Sequence, residues 1–383
     1  MKLAFVVHRY GLDIAGGSEG HCRGLATALR TRHDVEVLTT CARDYITWKN
    51  ELPAGRTEID GVRVTRFPNT RERNVDQFGE LSARVFDKNH NREDETRWIA
   101  ENGPVCPDLV HAVRDRRDVD YFLLYSYRYY TAFMSAAAAG ERAVLVPTAE
   151  DDPAVRLGII AELFRSVRGI LYLTPEEQEL VEGVSGSRTA SAVIGSGLTM
   201  IDAVPSTNLR FNLPESYVLY VGRIDRNKGV DKLFRDYIWL AGGWPEAPAL
   251  VLAGPQALDI PDHPKIQYLG YVTDSEKAAL LAGASIVVMP SAFESLSILV
   301  LEAWARGRPV LVNGRCGVLE GQCRRSRGGL YYRDMAEFGA MLKLLMSQAE
   351  LRVALGAAGR AYVDREYSWD IAASRTEALL NHI

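Results

Sequence analysis

The segment Val221–Gly229, VGRIDRNKG, carries Arg223 and Lys228 on one loop directly after an apolar stretch. A guanidinium fork and an ammonium point charge so placed suit a diphosphate whose charge must be neutralised. The competing reading is a solvated loop with two exposed cations. A second segment, Pro290–Leu311, puts Glu294 in a loop after a strand and Glu302 inside the helix that the loop introduces. The helix start near Leu296–Ser297 offers free backbone N–H groups and a positive dipole end, a site for an anion. Glu302 is expected to be buried among Leu299, Leu301, Ala303 and Trp304, which is costly for a carboxylate without hydrogen bonds. The two hydroxyls of a ribose diol would satisfy it, and so would a structural arginine. Gly16-Gly17 stands at the first strand-to-helix turn, where the lack of β-carbons lets backbone N–H groups approach a phosphate. The fingerprint GxGxxG is absent, since Gly195-Ser196-Gly197 runs into Leu198, Thr199 and Met200, and no GxxxxGK[ST] loop occurs.

These residues need elements to position them. Lys2–His8 reads as a buried strand, Tyr10–Gly17 as a loop and Ser18–Arg30 as a helix with Ser18 as N-cap and Glu19 in its first turn. Asp34–Thr40, Val62–Phe67, Tyr121–Tyr125, Ala143–Pro147, Gly169–Thr174 and Ala192–Ile194 read as strands, and Pro175–Val184 as a helix. The charged stretch Pro68–Pro107 predicts helices without clear ends. A second series starts after Asn208–Pro214. Its strands are Tyr217–Arg223, Ala249–Gly254, Ile266–Val272, Ser285–Pro290 and Pro309–Asn313. Its helices are Asp231–Leu240, Asp274–Ala282, Leu296–Arg306 and Met335–Gln348, with more helix beyond and a break near Tyr367-Ser368. Alternating strands and helices imply α/β architecture: two doubly wound domains with parallel sheets, joined near residues 200–214. Ligands of such sheets lie at the carboxyl ends of the strands, so a cleft between the two domains is the expected site.

Composition agrees with a globular chain. Its 383 residues suggest two or three domains at roughly 150 residues each. A 47% hydrophobic fraction excludes a disordered chain, and a net charge of −4 argues against a strongly basic nucleic-acid binder. The apolar run Ala278–Met289 is shorter than the ~20 residues that span a bilayer. The opening stretch Leu3–Val7 is too short for a secretory signal. Cys22, Cys41, Cys106, Cys316 and Cys323 are odd in number and scattered, which reads as reduced thiols in a cytoplasmic protein and offers no zinc site.

Taken in order, Gly16-Gly17, VGRIDRNKG, Ala253-Gly254-Pro255, the run YLGYV, and Glu294 and Glu302 followed by GRPVL resemble the retaining glycosyltransferases of family 4, the group 1 glycosyltransferases. The resemblance covers nearly the whole chain and is strongest from Tyr217 to Asn313. It implies the GT-B fold, two facing Rossmann-like domains with an interdomain cleft. Residues 1–205 would form the acceptor-side domain, joined by a crossover helix at 367–383, and residues 206–366 the donor-binding domain. Arg223 and Lys228 would hold and stabilise the diphosphate of a nucleotide sugar, and Glu294 the hydroxyls of the donor sugar. Glu302 would take the ribose hydroxyls. Gly16 and Gly17 would approach the phosphates or the donor sugar, and backbone around Tyr271-Val272 the base. Gly222, Ser295, Leu296 and Ser297 complete the donor-binding set. The resemblance implies no cofactor beyond the nucleotide-diphosphate sugar as co-substrate, and no catalytic metal, so Asp151-Asp152 reads as a loop cap.

The chain departs from the family in two places. Glu294-Ser295-Leu296-Ser297 lacks the glycines common between the glutamates. The stretch Val146–Pro153 lacks the histidine that many members place near the donor sugar, with Glu150 the candidate for that place. His8, His21 and His111 are assigned packing or ordinary polar roles. Tyr125–Tyr130, with Arg128 and Tyr129, could line an acceptor pocket or simply pack a strand end. The expected activity is retaining transfer of a sugar to an unidentified saccharide, lipid-linked saccharide or small-molecule acceptor in surface polysaccharide or glycoconjugate assembly. The expected location is the cytoplasm with at most peripheral membrane contact. The alternatives are a GT-B nucleotide-sugar epimerase or hydrolase, and a non-catalytic nucleotide-sugar-binding partner subunit.

Overall fold

Near-continuous apolar runs seed the central strands. Lys2–Val6 (β1) leads into the helix Gly17–Leu29 (α1), the strand Asp34–Thr40 (β2) and a hairpin of Gly55–Ile59 (β3) with Val62–Phe67 (β4). The helices Val75–Phe86 (α2) and Arg92–Asn102 (α3) fill the charged stretch Pro68–Pro107 whose helix ends the sequence left open, and Pro107–Asp115 (α4) follows it. Asn74 caps α2, and Asn91 with Asp94 forms a reciprocal capping box on α3. Then come Tyr121–Tyr125 (β5), Tyr130–Ala139 (α5), Ala143–Val146 (β6), Gly158–Ser166 (α6), Gly169–Tyr172 (β7), Pro175–Ser185 (α7) and Ala190–Val193 (β8). Among the described residues these strands form one sheet in the order β3-β4-β2-β1-β5-β6-β7-β8, parallel except for β3 against β4. The polar strand β3 was not expected. Its residues GRTEI face water on the sheet edge, so no buried face leaves an apolar signature.

The second series is Tyr217–Val221 (β9), Val230–Gly242 (α8), Ala249–Ala253 (β10), Ile266–Tyr268 (β11), Asp274–Gly283 (α9), Ile286–Met289 (β12), Ile298–Ala305 (α10), Val310–Asn313 (β13), Gly317–Ser326 (α11) and Gly329–Tyr332 (β14). Met335–Ser347 (α12) and Ala349–Glu366 (α13) follow, and Trp369–Leu380 (α14) comes last. The sheet order is β11-β10-β9-β12-β13-β14, parallel throughout. The strand expected over Ile266–Val272 ends at Tyr268 because Gly270, with φ +73°, turns the chain.

This computed structural model describes all residues except 15, 88 and 206–209. The chain divides into Met1–Gly197 with Trp369–Ile383, and Leu198–Ser368. The expected link at 200–214, with its boundary at 205/206, includes 206–209, which lie outside the described residues. The division falls earlier, at 197/198, and the returning segment starts at Trp369 rather than Tyr367. Trp369 explains both shifts. A β-carbon on Gly24 or Gly197 would lie 1.9 or 2.3 Å from its indole, so that ring fills a notch lined by two glycines. Tyr367 instead packs on Tyr362, with ring centroids 5.5 Å apart.

No helix among the described residues is long and apolar enough to cross a membrane. Because the notch has no room for a methyl group, Gly24→Ala should destabilise the chain by about 1–3 kcal/mol. Thermal denaturation would show this as a clear fall in Tm, and an unchanged Tm would contradict the docking of Trp369.

Candidate functional site

In the second unit, three loops meet at the carboxyl ends of β9, β10 and β12. Gly222 (φ +150°) and Gly254 (φ +129°) approach so closely that a β-carbon on Gly254 would lie 2.2 Å from the Gly222 carbonyl oxygen. Gly229 (φ +70°) meets Pro290 in the same way, at 2.5 Å from its carbonyl oxygen. These contacts fix VGRIDRNKG against the start of the Pro290–Ser297 loop. Arg223 pairs with Asp225, and the Tyr220 hydroxyl donates to the Arg223 carbonyl at 2.8 Å. The backbone N–H of Lys228 donates to Asp225, and its Nζ donates to Glu294 at 2.7 Å. Glu294 is buried, while Lys228 is part-exposed. Two residues 66 positions apart are thus brought into one ion pair.

The helix α10 begins after Ser297, two residues later than the expected Leu296. Ser297 is buried at the N-cap, yet its Oγ makes no capping bond and has no hydrogen-bond partner among the described residues. Leu296 is buried beside it, and Ser295 is half-buried. The expectation of a buried Glu302 is corrected. Its side chain is 19% exposed, because it lies on the flank of α10 that faces α9 rather than on the flank carrying Leu301 and Trp304. Its partner is Lys277 of α9, at 2.7 Å, rather than an arginine. Lys277 escaped the sequence reading because its only signal there was a lysine in a charged helix start. Tyr271 is 73% exposed, Val272 is half-buried, and the Tyr271 carbonyl accepts from Arg210 at 2.6 Å.

The first unit places its candidates at the carboxyl ends of β1, β5 and β6. Gly16 is the N-cap of α1 and Gly17 its first residue, so Ser18 is not the cap; its Oγ donates instead to Glu19 at 2.8 Å. Glu19 is buried (6% exposed), hydrogen-bonded to His8 Nε2 at 3.0 Å and paired with Arg9. Burial alone would raise its carboxyl, but its pairing with His8 and Arg9 outweighs burial and holds it far below the usual carboxylate range. Its carboxylate stands where a β-carbon of Gly16 would be. Tyr129 packs on His8 with centroids 4.0 Å apart. Arg128 pairs with Asp152 and lies over the Tyr127 ring. Asp152 accepts from the N–H groups of Ala154 and Val155, so it caps a turn as expected. Glu150 is half-buried on a loop that Glu177 pins by accepting from Ala149 N–H at 2.5 Å and Leu173 N–H at 2.6 Å. Burial pushes the Glu177 carboxyl up to about 8 against those donors.

Comparison with known proteins gives the fold and a family match within the second unit. Sucrose-phosphate synthase from Thermosynechococcus elongatus superposes with a TM-score of 0.74 at 17% identity, over 100% of this chain and 98% of that one. The trehalose-6-phosphate structure from E. coli bound with UDP-2-fluoro glucose superposes with a TM-score of 0.71 at 12% identity, over 100% of both chains. The fold is GT-B. Residues 215–348 match the family described as glycosyl transferases group 1, a span that holds Arg223, Lys228, Glu294 and Glu302. An uncharacterized glycosyltransferase of Methanocaldococcus jannaschii is 24% identical over 98% of this chain and 97% of its own length. The whole chain thus has the GT-B fold, and within its second unit residues 215–348 match a group 1 glycosyl transferase domain.

His21 supplies a pH test of the first unit's core. It is buried, and burial lowers its pKa from 6.5 to about 4 despite a hydrogen bond to the Gly195 carbonyl. Between those values the unfolded chain binds a proton that the folded chain refuses, so stability falls as pH drops from about 6.5 towards 4. Urea denaturation at pH 7 and pH 5 should show a smaller loss in His21→Gln than in the wild type, whatever the variant's offset. Equal losses would show that His21 is not held neutral.

Proposed function

We propose that this chain is a glycosyltransferase that uses a nucleotide-diphosphate sugar, retains the anomeric configuration, and needs no catalytic metal. The acceptor is a saccharide, a lipid-linked saccharide or a small molecule, in surface polysaccharide or glycoconjugate assembly, with the enzyme in the cytoplasm and at most peripheral at a membrane. The observation that carries this reading is the open start of α10. Its N-cap hydroxyl is buried without a partner among the described residues, and its N–H groups follow directly on Glu294, the residue Lys228 holds. A diphosphate there would receive the helix N–H groups, the Lys228 ammonium and the Arg223 guanidinium. The E. coli relative's UDP-sugar supports this class of donor.

Cleaving the sugar–diphosphate bond puts negative charge on the departing phosphate and positive charge on the anomeric carbon. The two cations and the helix start would stabilise the first, a contribution of several kcal/mol. Glu294 and Glu302 each pair with a part-exposed lysine, Lys228 and Lys277. Donor binding exchanges partners rather than stranding a charge: Lys228 turns to phosphate while Glu294 takes hydroxyls of the sugar and Glu302 those of the ribose. Gly222 gives the phosphates close access to backbone, with Ser295 and Leu296 shaping the loop around them. The exposed Tyr271 ring and the backbone to Val272 meet the base. At Gly16 and Gly17 the Glu19 carboxylate would repel a phosphate, so that turn suits a neutral sugar. The acceptor attacks from the face the phosphate leaves, and the phosphate takes its proton, so no protein base is required. Glu150, Arg128 and Tyr129 belong to the acceptor side in this reading.

Candidate UDP-, GDP- and ADP-sugars, incubated with and without acceptors, test the reaction. Free sugar or an epimer as the only product would show a hydrolase or epimerase, and donor binding without turnover a binding subunit. Arg223→Ala and Lys228→Ala should each lower turnover by more than about tenfold. Arg223→Ala should leave Tm nearly unchanged, whereas Lys228→Ala should lower it slightly, since buried Glu294 loses its partner. Wild-type turnover in both variants would end the diphosphate assignment. By calorimetry, Glu302→Gln should weaken nucleoside diphosphate binding, and unchanged affinity would remove its ribose role.

A further inference from the structure

Two histidines line the first unit's core, and their contacts differ. His21 uses both ring nitrogens, Nε2 with the Gly195 carbonyl at 2.9 Å and Nδ1 with the Tyr125 hydroxyl at 3.0 Å. His8 uses only Nε2, on Glu19; its Nδ1 is buried with no hydrogen-bond partner among the described residues. Glu19, tied to Arg9 and Ser18, is ionised and can only accept, and burial disfavours the imidazolium, so Nε2 carries the one ring proton and Nδ1 presents a lone pair. Buried polar atoms of this kind are normally satisfied, so a lone pair left over calls for an O–H or N–H donor.

The surroundings are built rather than incidental. The Tyr129 ring covers the imidazole, and Trp48 stands edge-on to both, with centroids 5.8 Å from His8 and 5.3 Å from Tyr129. Trp48 (φ 61°), Ser126 (φ 67°) and Thr148 (φ 49°) are non-glycine residues in the left-handed region. Ser126 and Thr148 tie the loops after β5 and β6 together through a 2.9 Å hydroxyl contact, and the Tyr129 N–H donates to the Ser126 carbonyl. Such strain gathers where a ligand site is held in advance. His8 follows β1 at the carboxyl end of the sheet, where doubly wound sheets bind ligands. Within this group Glu19 is already neutralised by Arg9. The Arg73 guanidinium over the Trp48 ring is held by the Asn102 and Tyr45 carbonyls. Beside these charges the group offers a ligand an aromatic face and a hydrogen-bond acceptor, which suits a ring bearing hydroxyls.

We infer that His8 Nδ1 accepts a hydrogen bond from a non-reacting hydroxyl of the acceptor, an uncharged sugar or cyclitol ring that seats against Tyr129 once that part-exposed side chain turns off the imidazole. His8 is thereby a specificity-determining residue. The identity of the ring as acceptor rests on the transferase reading above; its binding is tested without the donor. In the full chain labelled with ¹⁵N-histidine, NMR should show His8 protonated on Nε2 and bare on Nδ1 at neutral pH. The Nδ1 resonance should move when D-glucose, D-mannose or myo-inositol is added. Calorimetry with the responding sugar should show about tenfold weaker binding in His8→Phe. His8→Asn, whose Oδ1 takes the place of Nδ1, should stay within about threefold of the wild type, with Tm measured for both. A proton on Nδ1, no response to any of the three sugars, or equal weakening in both variants would overturn the assignment. A sugar response at His8 in a chain that shows no transfer would count against the transferase reading and leave the His8 site standing.

Discussion

The second unit's chemistry depends on backbone touching backbone. Gly222 against Gly254, and Gly229 against Pro290, bring the loops after β9, β10 and β12 closer than any side chain would permit. The spacing of Arg223, Lys228 and Glu294 is therefore set by the most rigid parts of the chain, and the long side chains only complete it. Electrostatic stabilisation of a developing charge needs donors fixed before the charge appears. Glycines with positive φ meet that need and leave the cations themselves free to exchange partners.

The two units treat their helix starts in opposite ways. At α1 a buried carboxylate, Glu19, stands at the first turn with Arg9 and His8 fixed around it. At α10 the buried cap hydroxyl of Ser297 has no partner among the described residues, while the nearby carboxylates Glu294 and Glu302 are matched to lysines that still reach solvent. Closed charges hold a shape; half-open pairs can be traded. The first arrangement favours recognition of a neutral ring, the second capture of an anion.

Much of this was legible because buried parallel strands read as unbroken apolar runs. Asp34–Thr40, Val62–Phe67 and Tyr121–Tyr125 have the ends their composition predicts. Strands overshot where apolar or buried residues continue past the strand's end, as at Val7 and Pro147, and Ile266–Val272 overshot because a glycine bends there. The strand Gly55–Ile59 was illegible since an edge strand needs no apolar face. At the site, residue types and loop positions were readable, but pairings were not. Lys277 reaches Glu302 across 25 positions and Lys228 reaches Glu294 across 66, and no local pattern encodes either. His8 looked ordinary because the distinction between its two nitrogens arises only when Glu19, a helix start away, folds against one of them.

The indole seated between Gly24 and Gly197 carries a consequence for biosynthesis. The first unit is assembled from two stretches separated by the whole of Leu198–Ser368. While the chain is being translated, that unit's strands can pair early, yet the groove beside α1 stays unfilled until Trp369 emerges from the ribosome. The intervening unit, contiguous in sequence, can finish first. Maturation is thus ordered, with the earliest-synthesised residues among the last to reach their final packing.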